Sequence, residues 1–145
     1  MKRIIKIGMF FLFISSMGAG CKKDNEGLLH NITLSDKPLS VIQKYITGKW
    51  RLKYAFGGLW AHKVINTNNS YMILSPNHIT KGNDSGIIVD TTLVWVKTDI
   101  GTNDFTYLFS YPPSSISYIV DQIENDTLVI TQYLSDGFTF YYTKY

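Results

Sequence analysis

A chain of 145 residues with one cysteine, Cys21, cannot build an internal disulfide. Its three histidines, His30, His62 and His78, show no short metal-ligand spacing, and a zinc site needs three or four converging ligands. No carboxylate pair stands out by spacing. Asp84-Ser85-Gly86 is followed by Ile87 where a nucleophile loop would carry a second glycine, and nothing pairs it with a histidine. It reads as a polar turn. There is no internal repeat and no long block of one charge. The longest apolar run, Ile7 to Met17, is too short to span a bilayer. These absences argue against a disulfide scaffold, a metalloenzyme, a hydrolase and a helical membrane protein; no catalytic residue and no cofactor is assigned.

The first residues are of another kind. Lys2, Arg3 and Lys6 precede the apolar run, and Gly18, Ala19 and Gly20 follow it, the layout of a secretory signal. The formal charge of +3 belongs to this segment: of 14 Lys and Arg, three lie here, which leaves 11 against 11 acidic residues. The remainder is neutral and gives no reason to expect nucleic acid as a partner. Gly18-Ala19-Gly20-Cys21 resembles the lipobox of bacterial lipoproteins, and the Lys22-Lys23-Asp24-Asn25-Glu26 that follows resembles exported lipoproteins of the Bacteroidetes. That resemblance implies cleavage before Cys21 and acylation of its thiol. One acyl chain holds a protein marginally and two hold it stably, so a diacylated Cys21 implies a lasting anchor, expected at the outer membrane on its periplasmic or surface side. The organisation expected is a signal peptide over residues 1–20, a polar tether over 21–36 and one domain over 37–145.

Within the domain, Asp36 and Pro38 mark a helix start, Leu39, Ile42 and Ile46 recur at helical spacing, and Gly48 ends it; the pattern predicts a helix over 38–46. From Lys49 the period becomes two. Trp50, Leu52, Tyr54 and Phe56 alternate with Lys49, Arg51, Lys53 and Ala55, which predicts a strand with the large apolar groups facing a core. Short β-rich segments then follow, separated by Gly57-Gly58, Ser75-Pro76-Asn77, Gly82 to Gly86, Pro112-Pro113, Asn125-Asp126 and Ser135-Asp136-Gly137. The fold class expected is all-β: an antiparallel up-and-down barrel of about eight strands with one short N-terminal helix.

Gly48-Lys49-Trp50, after a short helix and opening the first strand, resembles the Gly-x-Trp signature of the lipocalins. Asp126-Thr127-Leu128-Val129-Ile130, Asp136-Gly137 and the aromatic last strand are similar to lipocalin-like Bacteroidetes lipoproteins of unknown function. The resemblance covers residues 38 to 145 and implies structural roles for Gly48 and Trp50. Lipocalins set an arginine on a late strand against that tryptophan; Arg51 is the only arginine after the signal, and Lys144 is the candidate substitute.

Two functional expectations follow. In the first, the barrel is a non-catalytic binding module for a small apolar or amphipathic ligand, with Trp60, Tyr54 and Phe56 as candidate contacts. In the second, the interior is filled, and the protein acts through its outer surface as an accessory subunit, inhibitor or immunity-type partner. An open interior larger than a few waters favours the first; a packed interior with exposed aromatic groups favours the second. Asp90-Thr91-Thr92 and Asp126-Thr127-Leu128 also resemble an O-glycosylation motif of exported Bacteroidetes proteins.

Overall fold

The structure, a computed structural model, describes residues 31–101 and 104–145. The expected signal segment, Cys21 as the expected lipidation site, and His30 lie outside the described residues. Those described form a short strand β1 (Ile32–Thr33), one helix α1 (Leu39–Ile46), and ten further strands. These are β2 (Gly48–Gly57), β3 (His62–Ile65), β4 (Tyr71–Ser75), β5 (His78–Asn83), β6 (Gly86–Thr92), β7 (Val94–Gly101), β8 (Asp104–Ser110), β9 (Tyr118–Glu124), β10 (Thr127–Gln132) and β11 (Phe138–Lys144).

The pairings are antiparallel, in the order β6-β5-β4-β2-β11-β10-β9-β8-β7. Neighbours in space are mostly neighbours in sequence, and the first long strand pairs with the last. The result is a curled, half-barrel sheet. Eleven strands replace the eight expected. The ladder is open between β6 and β7, which are joined in sequence through the buried Leu93 and end the sheet without hydrogen-bonding to each other. Asn125 and Asp126 both have positive φ, 47° and 58°. That is the primed turn whose twist matches a tight hairpin, here joining β9 to β10.

The apolar stripe of α1 puts Ile42 and Ile46 into the core. Asp36 does not cap the helix; its carboxylate pairs with Lys37 at 3.0 Å, and the first helical residue is Leu39. Trp50 is fully buried, and its Nε1 donates to the carbonyl of Ile46 at 2.7 Å. One of the carbonyls orphaned at the helix end is thereby satisfied, and helix and sheet are joined. Leu34, Leu74, Ile79, Ile123 and Leu128 complete this end of the core. Lys144 of β11 lies directly opposite Trp50 in the register.

Two expectations are corrected. The tether expected through residue 36 contains β1, which pairs with β9 at Ile32–Ile123 and Thr33–Gln122, and Leu34, which is fully buried. The domain therefore includes residues assigned to the tether. Nothing local marks them, because their partner lies some ninety residues away. The second correction concerns β2. Tyr141 pairs with Tyr54, but Tyr142 pairs with Leu52, so Lys53 is an extra residue. Such a bulge reverses the alternation beyond it. Trp50 and Leu52 face the core as expected; then Ala55 is buried while Tyr54 and Phe56 turn to the outer face. Asn66 stabilises the irregularity. Its Nδ2 donates to the Leu52 carbonyl at 2.7 Å, and its Oδ1 accepts from the Ser70 N–H at 3.1 Å.

Candidate functional site

The concave side of the sheet is largely filled. Phe109, Tyr111 and Tyr118 stack with centroid distances of 5.2 and 5.7 Å, and Phe140 and Tyr142 continue the row at 6.3 Å. Together with Met72, Ile79, Lys81 and Ile130 they line a partly open cavity of about 20 Å³, room for roughly one water. Lys81, mostly buried, donates from Nζ to the Tyr111 hydroxyl at 2.9 Å, which lies 3.3 Å from the hydroxyl of Tyr118. Burial pushes the Lys81 ammonium below its usual range and the Tyr118 hydroxyl above its own; the buried Tyr142 hydroxyl is raised by the same cause. Sequence reading missed Lys81. The signal was its place in the apolar-polar alternation of Ile79-Thr80-Lys81, which puts it on the face of Ile79.

The candidate contacts lie elsewhere. Gly58 to Ala61 form a turn closed by the Ala61 N–H on the Gly58 carbonyl at 2.9 Å. Leu59 and Trp60 occupy its centre and are 81% and 88% exposed. The placement of Trp60 at the end of the first long strand follows from Gly57-Gly58, but the side chain folds over nothing. On the outer face of the same hairpin, Tyr54 stacks on Tyr141 at 4.4 Å, with the Lys63 ammonium 4.3 Å from the Tyr54 centroid. Phe56 is 45% and Ile65 65% exposed. Tyr54, Phe56 and Trp60 therefore share one hairpin, but none of them lines the interior cavity. Tyr54 and Phe56 as interior contacts are corrected by the bulge at Lys53.

The remaining polar groups are scattered. His78 Nε2 lies 2.8 Å from Asp90 Oδ1, and Thr80 donates to the same oxygen at 2.7 Å. The hydrogen bond from His78, then that from Thr80, holds the exposed Asp90 carboxyl below its ordinary range. His62 meets the edge of Phe138, at 5.9 Å between centroids. Asp121, mostly buried, accepts a bond from Thr131; burial raises its carboxyl above the usual range. Ser85 sits in the β5–β6 turn, its N–H on Asn83 Oδ1 at 2.8 Å. Thr91 is half-buried on β6, and Leu128 of the second glycosylation motif is buried in the core. Among the described residues no three His, Cys, Asp or Glu side chains gather as a metal group would. Comparison with known proteins finds no match: no family model, no curated protein and no solved structure.

Proposed function

We propose that this chain is a lipid-anchored, non-catalytic interaction protein of the cell envelope. In this reading the lipid on Cys21 holds it to the membrane and a lipocalin-like sheet serves as scaffold. The β2–β3 hairpin docks on an apolar surface of a protein partner, as an accessory subunit or an inhibitor does. The observation that carries the reading is a contrast: the interior cavity is about 20 Å³, while Leu59, Trp60 and Ile65 stand in solvent. A cavity that small supports outer-surface binding over a small ligand held inside. Tryptophan is among the side chains most enriched at the energetic centres of protein interfaces.

The direction of the hairpin supports the same reading. The described chain starts at Asn31, whose side chain accepts from the Asn125 N–H at 3.0 Å, at the end of the sheet that holds the β9–β10 turn. Gly57 and the tip lie at the other end, beside Phe138. β2 has ten residues, so the two ends are roughly 30 Å apart. An anchored domain standing on its N-terminal end presents Trp60 away from the membrane.

The test is site-specific photocrosslinking in the native envelope, with the photoreactive residue at position 60 and, as control, at position 97. A discrete adduct from position 60 that weakens in Leu59→Ser is expected. Adducts of equal yield from both positions would refute the docking tip. A small apolar molecule retained by the purified protein in native mass spectrometry, displaceable and not the acyl chain, would restore the interior-ligand reading.

A further inference from the structure

Net neutrality conceals a local concentration of positive charge. The alternation of β2 places Lys49, Arg51 and Lys53 on its outer face, and the fold brings Tyr145 and Tyr71 beside them. The Tyr145 N–H donates to the Lys49 carbonyl at 2.9 Å. Its ring then lies 3.9 Å from Lys49 Nζ and 4.2 Å from Arg51 Cζ, while Lys49 Nζ is also 5.2 Å from the Tyr71 centroid. Tyr71 pairs with Gly82 and is seated on it: a Cβ at that position would come within 2.6 Å of the tyrosine oxygen. Cations stacked on rings in this way are held in place. Among the described residues neither Lys49 nor Arg51 has a carboxylate within ion-pair distance.

Lys49, Arg51, Tyr71 and Tyr145 line one side of a cleft of about 350 Å³, within the range of small-ligand sites. The rest of its lining is Asn69, Asn83 and Asp84. Asn69 Nδ2 donates to both oxygens of Asp84, at 2.9 and 3.1 Å, which fixes the carboxylate and leaves its other lone pairs for hydroxyl donors. A simple anion suits the cationic side but is repelled by Asp84. A ligand with a carboxylate at one side and hydroxyl groups at the other satisfies both sets of residues. A single-stranded nucleic acid needs free ring faces for its bases, and here the Tyr145 ring carries two cations while Tyr71 lies on backbone.

We propose that this cleft binds an acidic sugar unit of an anionic glycan. Lys49 and Arg51 take the carboxylate, and Asn69, Asn83 and Asp84 take ring hydroxyls. Lys53 extends the row by one strand repeat, roughly 7 Å, in the direction a second acidic unit would follow. The site is separate from the Trp60 tip.

The experiment is calorimetric titration of the lipid-free protein with trigalacturonate, against neutral galactotriose, tripolyphosphate and oligothymidylate. Trigalacturonate should bind and galactotriose should not, and binding should weaken as salt rises from about 0.02 to 0.5 M. Arg51→Gln should lower affinity about tenfold, the usual effect of losing a charge-assisted hydrogen bond, while Lys97→Gln leaves it unchanged. Circular dichroism checks that each variant is folded. Asp84→Asn decides the chemistry through its sign: a sugar hydroxyl on Asp84 makes that variant weaker, whereas a plain anion site makes it stronger. Failure of trigalacturonate to bind, tripolyphosphate or oligothymidylate binding as tightly, or tighter binding by Asp84→Asn would each overturn the proposal.

Discussion

Replacing Trp50 with phenylalanine separates two functions of that residue, filling the core and ending the helix. The indole is wholly buried, and its N–H is bonded to the Ile46 carbonyl at 2.7 Å. Phenylalanine keeps most of the apolar contact but removes roughly 40 Å³ of side chain, which at ~24 cal/mol per Å³ of residual cavity costs about 1 kcal/mol. It also leaves a buried carbonyl without that partner, at about 1–3 kcal/mol. Trp50→Phe should therefore lose about 2–4 kcal/mol. Trp50→Ala should lose more than the ~3–5 kcal/mol of an ordinary large-to-small core change, because it loses the same hydrogen bond as well. Urea unfolding of the lipid-free protein, followed by far-ultraviolet circular dichroism, measures both. With a slope near 1–3 kcal/mol per M, the phenylalanine variant should unfold about 1–2 M earlier. A shift equivalent to less than ~0.5 kcal/mol, the usual range of a surface change, would mean that the indole neither fills the core nor caps the helix. The link between α1 and the sheet would then be wrong.

Two further predictions rest on single positions. Gly57 has φ +146°, and an added Cβ would run into the Gly137 carbonyl and lie 2.9 Å from Phe138 Cα, both backbone; Gly57→Ala should cost about 2–4 kcal/mol from overpacking and strain together, read as a lowered Tm. Burial lowers the Lys81 pKa from its ordinary 10.5, so the folded state disfavours the ammonium. Its stabilising contribution is full above 10.5 and is lost as the pH falls from there to the lowered folded value. Lys81→Met should therefore be more stable than the parent at neutral pH, with the gap closing as the pH climbs through that window in parallel melts; a gap independent of pH would show that Lys81 carries no such burden.

The sequence pattern makes the local elements legible because their causes are local. The 3.6-residue spacing of Leu39, Ile42 and Ile46 yields α1, and the Asn125-Asp126 turn joins two strands close to the limits read from composition. What escapes a sequence reading depends on partners far along the chain. β1 exists through β9, and the cationic cleft exists because Tyr145 returns beside Lys49. Lys49, Arg51 and Lys53 read only as the wet side of a strand, since no spacing rule says which tyrosines will lie against them. The candidate contacts suffered most. The position of Trp60 follows from the glycines before it, but the alternation through Tyr54 and Phe56 has no visible break and so points both to the wrong face.

That break can be tested directly. In Trp50-Arg51-Leu52-Lys53-Tyr54-Ala55-Phe56 every second residue is large and apolar, so a regular strand would turn Tyr54 and Phe56 inward and Ala55 outward. The structure has Ala55 buried, Phe56 exposed and Lys53 unmatched on β11. Deleting Lys53 distinguishes the two arrangements by sign. If Lys53 is the bulge, removing it restores an unbroken ladder with Leu52 and Ala55 still inward and Tyr54 and Phe56 still outward. The cost is confined to the bulge's own bonds, chiefly the Asn66 amide on the Leu52 carbonyl, and should be about 1–2 kcal/mol. If β2 were regular, the same deletion would reverse every residue from Tyr54 to Gly57 relative to the core, as any one-residue slip does. Three misplaced side chains, those of Tyr54, Ala55 and Phe56, next to the β2–β11 pair would then leave little folded protein. Far-ultraviolet circular dichroism and a melt of the deletion variant give the answer: a cooperative transition places the bulge at Lys53, and a flat trace returns Tyr54 and Phe56 to the interior, where a small ligand would meet them.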